Sequence, residues 1–456
     1  MTTKADLEEL ELVYLVPDEV KPYPDNPRVH PKAQLKMIEA SIAAFSFNNP
    51  ILVTPDHVLI AGHGRLEAAK KLKIERIPAL VLAHLSEAEQ RAYRIADNAI
   101  VLKGEWSVEL LSRELEFVTQ VDFDIAPGAL GFETGEIDFH IDAAPSKSAS
   151  SSDSDRVEEP DRTATPVSRL GDIWSIGRHV VTCGDAQDPA SYRRVLGDRK
   201  ADVVISDMPW NVPYAGHIGG LGKVQHDEFV MASGEMSRDE FRSFMKTVLT
   251  RQAEASHPGA LNMQFIDWRS VADMIVAGEA IYDALINVCV WVKPNGGMGS
   301  LWRSRHELVC VFRNKGGKHR NNVMLGKHGR NRTNVWEYAG ANSFSSDRME
   351  NLAAHATCKP VEMIAEAIKD CTDRKGVVLD AFLGSGTTVM AAHKAGRVGC
   401  GIELDPHYVD VSIQRIARVV GAEPKLADNR TFEQVRDARR DEEPALIVSE
   451  EETSDA

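Results

Sequence analysis

No apolar run in the 456 residues approaches the ~18 that a membrane-spanning helix needs, which excludes a helical membrane protein. Cysteine is sparse and scattered. Cys183, Cys289, Cys310, Cys358, Cys371 and Cys400 include no C-x-x-C pair, so neither a zinc ribbon nor a disulfide framework is expected, and no metal site. The opening Met-Thr-Thr-Lys-Ala-Asp has neither the basic nor the apolar part of a secretory signal, and a cytoplasmic location is expected. Basic charge is also short: 53 Lys and Arg face 68 Asp and Glu, a net −15 that at first argues against a polyanionic partner. What is present is an ordinary globular composition, 43% hydrophobic and 27% charged, long enough for about three domains.

The charge is unevenly placed. Arg303 to Arg332 holds nine Lys and Arg against one acid, a local +8, whereas Glu433 onward holds nine acids against three Arg, a local −6. A basic central stretch with an acidic tail is compatible with nucleic acid. Six of the nine residues from Ser146 to Ser154 are serine, so 143–166 reads as a flexible linker. It separates an N-terminal unit, 1–142, from a larger unit, 167–421, with 422–456 as an acidic tail. In the first unit, helices are expected over 31–45, 66–72 and 86–99. Ser86-Glu87-Ala88-Glu89 opens the last of these as a capping box. Ile51-Leu52-Val53 and Val58-Leu59-Ile60 form a hairpin about Pro55-Asp56. In the second unit, Val180-Val181-Thr182, Val203-Val204-Ile205 and Val377-Val378-Leu379 are continuous apolar strands, as in a parallel sheet covered on both faces. From 377 to 420 the pattern is strand, glycine loop, helix, strand, helix, a Rossmann-like half-fold.

Asp380-Ala381-Phe382-Leu383-Gly384-Ser385-Gly386-Thr387-Thr388 is the glycine loop. The third glycine of a dinucleotide fingerprint would fall on Val389, and no Gly-Lys-Ser/Thr is present, so phosphate machinery is absent. Glu403, 17 residues after Gly386, closes the next strand where a carboxylate can accept ribose hydroxyls. This combination suits an adenosyl ligand such as S-adenosylmethionine. The stretch resembles the D-x-F-x-G-x-G-T-T motif of amino-methylating DNA methyltransferases. By that resemblance Asp380, Phe382, Gly384, Ser385, Gly386 and Thr387 surround the cofactor, Glu403 holds its ribose and Asp185 lies near its adenine.

The strand Val203-Val204-Ile205 runs into Ser206-Asp207-Met208-Pro209-Trp210. A base amine is a weak nucleophile because its lone pair is delocalised. A carboxylate and a backbone carbonyl can hold its two hydrogens and free the pair, while an indole stacks on an extruded base. The family form is D-P-P-Y/F/W; Met208 replaces the first proline and keeps the carbonyl but not the fixed φ. The order of the two motifs is permuted, as in the beta class. His355-Ala356-Thr357-Cys358-Lys359-Pro360 resembles that class's H-P-T-x-K-P, which adds Lys359 to the cofactor residues. The resemblance implies a SAM-dependent α/β domain in a restriction–modification setting, acting on double-stranded DNA. Its basic recognition region would be about 303–345, with Arg303, Arg305, Arg320, Lys327, Arg330, Arg332 and Asn334 as DNA contacts. Gly216 to Glu235 is a candidate loop closing on DNA.

Asn26-Pro27-Arg28 and Ala61-Gly62-His63-Gly64-Arg65-Leu66 resemble the boxes of the ParB N-terminal domain, a smaller α+β unit. Gly62, His63, Gly64 and Arg65 form a candidate phosphate loop for a nucleotide or for DNA. Gly64 stands where that family has its first arginine, which bears against nucleotide hydrolysis. Asp207 favours adenine-N6 methylation. The alternatives are cytosine-N4 methylation, or a ParB-like nucleotide or DNA binder whose methylase unit has decayed at Met208. A homodimer is expected.

Overall fold

The computed structural model describes residues 10–120, 125–143, 160–211, 235–294, 296, 302–327, 330–339 and 359–441. The chain divides into two compact units, 1–146 and 147–456. The expected loop over 216–234, Cys358 and the first four residues of the His355 motif lie outside the described residues, as do 144–159 of the serine-rich segment.

In the first unit the elements are β1 (Glu11–Leu15), α1 (Lys32–Phe45), β2 (Ile51–Val53), β3 (Leu59–Ala61), α2 (His63–Lys71), β4 (Ile77–Val81), α3 (Glu87–Val101), α4 (Val108–Gln120) and α5 (Thr134–Asp142). The sheet order is β1-β4-β2-β3, and β2 and β3 form the expected antiparallel hairpin. Ile51, Val53, Leu59, Ile77 and Ala79 are fully buried, so the alternating strands close one small core. Ser86 Oγ accepts from Glu89 N while the Glu89 carboxylate accepts from Ser86 N, the capping box that starts α3.

The second unit contains β5 (Ile173–Ile176), β6 (His179–Cys183), α6 (Pro189–Leu196), β7 (Ala201–Ser206), α7 (Arg238–Glu254), β8 (Ser256–Ile266), α8 (Val271–Ile281), β9 (Ala284–Val292), β10 (His306–Arg313) and β11 (Val335–Glu337). It continues with α9 (Val361–Cys371), β12 (Val377–Asp380), α10 (Thr387–Lys394), β13 (Val398–Glu403), α11 (Pro406–Val420), β14 (Lys425–Leu426) and α12 (Phe432–Asp441). Ten strands form one sheet in the order β11-β9-β10-β8-β7-β12-β13-β6-β5-β14. The five central strands, β8 to β6, are parallel, and β10 runs against them. Separate buried clusters cover the two faces, which is why the central strands read as continuous apolar runs. Gly399 on β13 lies where α10 crosses; a Cβ there would sit 2.8 Å from Val389 Cα, so only glycine permits that approach.

Two sequence expectations are corrected here. Residues 422–441 are not tail: β14 pairs with β5, Val435 is fully buried, and Arg439 forms an ion pair with Asp172. Three apolar anchors among ten helical residues are enough to hold a helix whose composition reads as solvated. The end of the expected linker is likewise bound to this unit, Arg162 pairing with Asp405 at 2.7 Å.

Candidate active site

Parallel strands deliver their carboxyl ends to one edge, and here each end carries an acid. Asp380 is the last residue of β12, Glu403 the last of β13, and Asp207 follows β7 directly. Asp185 stands two residues after β6, whose terminal Cys183 pairs with Glu403. Because β10 is antiparallel, its beginning reaches the same edge and brings Glu307; Lys293 follows the end of the neighbouring β9. Ser206 Oγ accepts from Ala381 N at 3.0 Å, which ties the strand bearing Asp207 to the strand bearing Asp380.

Asp207 sits in a buried chain of charges. Its Oδ2 meets Lys359 Nζ at 2.5 Å, Lys359 meets Glu307 at 3.1 Å, and Glu307 meets Lys293 at 2.5 Å. Lys359, expected among the cofactor residues, is a member of this chain of charges. Its ammonium also lies 5.1–5.8 Å from the ring centres of Trp210, Phe265 and Trp291, within reach of their faces. Burial pushes the Asp207 carboxyl above its ordinary range; Lys359 opposes that shift and Glu307 adds to it. Burial also acts on Glu307, but Lys359 and Lys293 together hold it below the usual carboxylate range. Asp207 Oδ1 and Trp210 Nε1 are buried without a hydrogen-bond partner among the described residues. Met208 is 1% exposed and packs in the core beneath the edge, a seat for an apolar side chain where proline is the family residue.

The glycine loop leaves β12 beside this chain. Asp380 accepts from Phe382 N at 3.0 Å and from Thr388 Oγ1 at 2.6 Å, and burial pushes it up to about 6. Gly384 and Gly386 have φ of +52° and +90°, left-handed values that favour glycine, and Gly386 caps the N-terminus of α10. A Cβ added to Gly384 would meet nothing within 4 Å, so the loop borders open space. Glu403 accepts from Gly384 N at 2.7 Å and Asp405 N at 3.0 Å, and burial pushes it up to about 7. Ser385 and Thr387 are held from behind by Arg415 on α11 at 3.0–3.3 Å. Asp185 Oδ1 accepts from Gln187 N at 2.8 Å.

The basic segment divides. Arg330 is buried against Asp370, and Arg332 binds Asp370, Glu366 and Tyr338, so their charges are neutralised inside the protein. Asn334 donates to Asn287 and to the Val288 carbonyl. Arg330 and Arg332 are thereby corrected from DNA contacts to structural residues, whereas Asn334 stays at the surface. Arg320 pairs with Asp373 while remaining half exposed. Arg303, Arg305 and Lys327 are exposed.

In the first unit Gly62, at φ +102°, caps α2 and sets His63 and Arg65 on its first turn. Arg94 of α3, not singled out in the sequence, lies 3.6 Å over the Tyr23 ring. His63 Nε2, Arg65 Nε and Arg94 Nε are buried without hydrogen-bond partners among the described residues. Burial, with His30 and Arg94 nearby, lowers His63 to about 4.

Comparison with known proteins agrees with both halves. Residues 201–414 match the DNA methylase family and residues 1–99 the ParB N-terminal domain, so a DNA methylase domain follows a ParB N-terminal domain in this chain. It is 28% identical over 211 residues to the type II methyltransferase M.ScaI of Streptomyces caespitosus, spanning 40% of this chain and 69% of that protein. It is 37% identical over 84 residues to the ParB-like nuclease domain-containing protein YnaK of Escherichia coli (strain K12), 18% of this chain and 97% of that one. Among solved structures it is similar to the PvuII DNA methyltransferase, described as cytosine-N4-specific, at 14% identity and a TM-score of 0.41, covering 62% of this chain and 95% of that one.

Removing Lys359 leaves Asp207 and Glu307 buried with one cation fewer. Lys359→Met should destabilise the second unit by about 3–5 kcal/mol, read from its urea midpoint. An unchanged midpoint would show that the pair is not desolvated.

Proposed function

We propose that the chain transfers a methyl group from S-adenosylmethionine to the N6 amine of an adenine extruded from duplex DNA. The observation that carries this reading is Oδ1 of Asp207, a buried acceptor with no hydrogen-bond partner among the described residues, at the same sheet edge as the glycine loop and Glu403. The residues present fit the cofactor. The open space over Gly384 suits its amino-acid part, and each Glu403 oxygen keeps a lone pair for a ribose hydroxyl. When bound, the cofactor supplies an electrophilic methyl carbon on sulfur.

The chain's own residues then do the rest. Asp207 Oδ1 accepts one amine hydrogen and the Met208 carbonyl the other, which favours a pyramidal nitrogen whose lone pair is no longer conjugated with the ring. Trp210 stacks on the base. Rate comes from orientation and from fixed acceptors in a dry site, with no covalent intermediate. The five cysteines among the described residues are buried and take no part. Arg303, Arg305 and Lys327 remain as contacts to phosphate. Asp207, rather than serine, supports adenine over cytosine.

A second reading concerns the first unit. His63 and Arg65 on the first turn of α2, with Arg94 of α3, carry ring and guanidinium nitrogens that have no hydrogen-bond partner among the described residues, which suits a phosphate-bearing ligand. The two readings are compatible within one chain.

Long-read sequencing of DNA from a methylation-free host expressing the chain should show N6-methyladenine in one short sequence context, absent with Asp207→Ala. Methylcytosine instead would reassign the base, and methylation surviving in the variant would overturn the role of Asp207. Because Glu403 must be ionised to accept two hydroxyls, cofactor affinity should rise with pH, by up to ~tenfold per unit below about 7. Calorimetry at pH 6 and 8 tests this; Glu403→Gln should bind weakly and equally at both. For the first unit, Arg65→Ala should weaken binding of ribonucleoside triphosphates or DNA at least tenfold, and equal affinity would remove the phosphate-loop reading.

A further inference from the structure

Asp207 is faced by groups from four directions: Lys359 ahead of α9, Glu307 from β10, Lys293 after β9, and Asp380 at the end of β12. A carboxylate bound by one buried lysine alone would be a poor base, because the lysine's charge would be spent on it. Here that lysine is shared. Lys359 is 2.5 Å from Asp207 and 3.1 Å from Glu307, and Glu307 is in turn shared with Lys293 at 2.5 Å. Lys359 and Glu307 are both almost fully buried, so water screens little of this competition. The contacts use only Oδ2 of Asp207 and leave Oδ1 unpartnered among the described residues.

We propose that Glu307 and Lys293 are positioning residues for Asp207, acting through Lys359: Glu307 draws the lysine's charge away from Asp207, Lys293 limits that draw, and the balance leaves Oδ1 basic enough to take the amine's surplus proton. The inference rests on the methyl-transfer reading of Asp207. In that step the amine nitrogen bonds to the methyl carbon, the carbon–sulfur bond breaks with its electron pair remaining on sulfur, and the proton left on nitrogen passes to Oδ1 and later to solvent. Nothing in the sequence marks this pair. Glu307 stands in an ordinary strand, and Lys293 in a turn.

The chain of alternating charge makes a signed prediction. Glu307→Gln lets Lys359 act on Asp207 alone and lowers the pH at which Asp207 takes a proton. Lys293→Gln frees Glu307 to hold Lys359 more strongly and raises that pH. Each shift should be about one unit, ~tenfold in proton affinity. Infrared difference spectroscopy of the full-length protein during a pH titration reads it directly, the Asp207 carboxyl band being assigned by its loss in Asp207→Asn. Midpoints ordered Glu307→Gln, wild type, Lys293→Gln support the proposal. Equal midpoints, or shifts of one sign in both variants, overturn it. Lys293 is part exposed, so its variant tests the idea even where Glu307→Gln folds poorly. The acid limb of kcat for DNA methylation should follow the same order, with cofactor affinity within twofold of wild type. The infrared order in a wild-type protein that methylates no DNA would overturn the methyl-transfer reading and leave the charge balance standing.

Discussion

Bringing Asp185, Asp207, Glu307, Asp380 and Glu403 to one edge of a sheet concentrates negative charge where little water reaches, and the site is built around the answers to that problem. Parallel strands make the concentration unavoidable once each ends in an acid. Three different remedies are used. Asp207 and Glu307 share two lysines. Asp380 is held by a hydroxyl and a backbone N–H, and Glu403 by two backbone N–H groups. Burial still raises the proton affinity of both carboxyl groups, and the hydrogen bonds leave them lone pairs with which to accept ligand hydroxyls once ionised.

The legible part of this arrangement in the sequence was the part written in consecutive residues. Ser206 to Trp210 and Asp380 to Thr388 announce themselves because a strand, a turn and a helix start must follow one another within ten positions. The apolar runs of β6, β7 and β12 were equally plain, since burial on both faces removes any alternation. Glu307 and Lys293 were not legible, because they arrive at the edge only through the antiparallel course of β10, a topological fact with no local signature. The basic segment misled for a different reason. A count of charge cannot distinguish a solvated arginine from one pointed at Asp370, and the partner lies ~40 residues away on α9. In the first unit Arg94 was hidden in the same way, in a helix whose surface looks evenly charged.

Met208 shows how far a motif can be bent. A proline would fix φ ahead of the aromatic, whereas here a fully buried side chain does the anchoring by packing. Restraint by the core replaces restraint by the backbone ring. The same trade appears at β11, whose approach is fastened by Arg332 to two acids on α9 and by Asn334 to β9 rather than by strand length.

The segment from Lys425 to Asp441 determines how this side of the sheet ends. β5 would otherwise border the sheet with unpaired backbone groups and with Trp174 beneath it. The two-residue β14 pairs with it, Phe432 stacks 5.6 Å from the Trp174 ring, and Arg439 latches onto Asp172. A sheet margin ended by so short a strand offers little template for another chain to extend. The residues that look like an expendable acidic extension therefore act as the hem of the sheet, and the smallest self-sufficient form of the second unit reaches at least to Asp441.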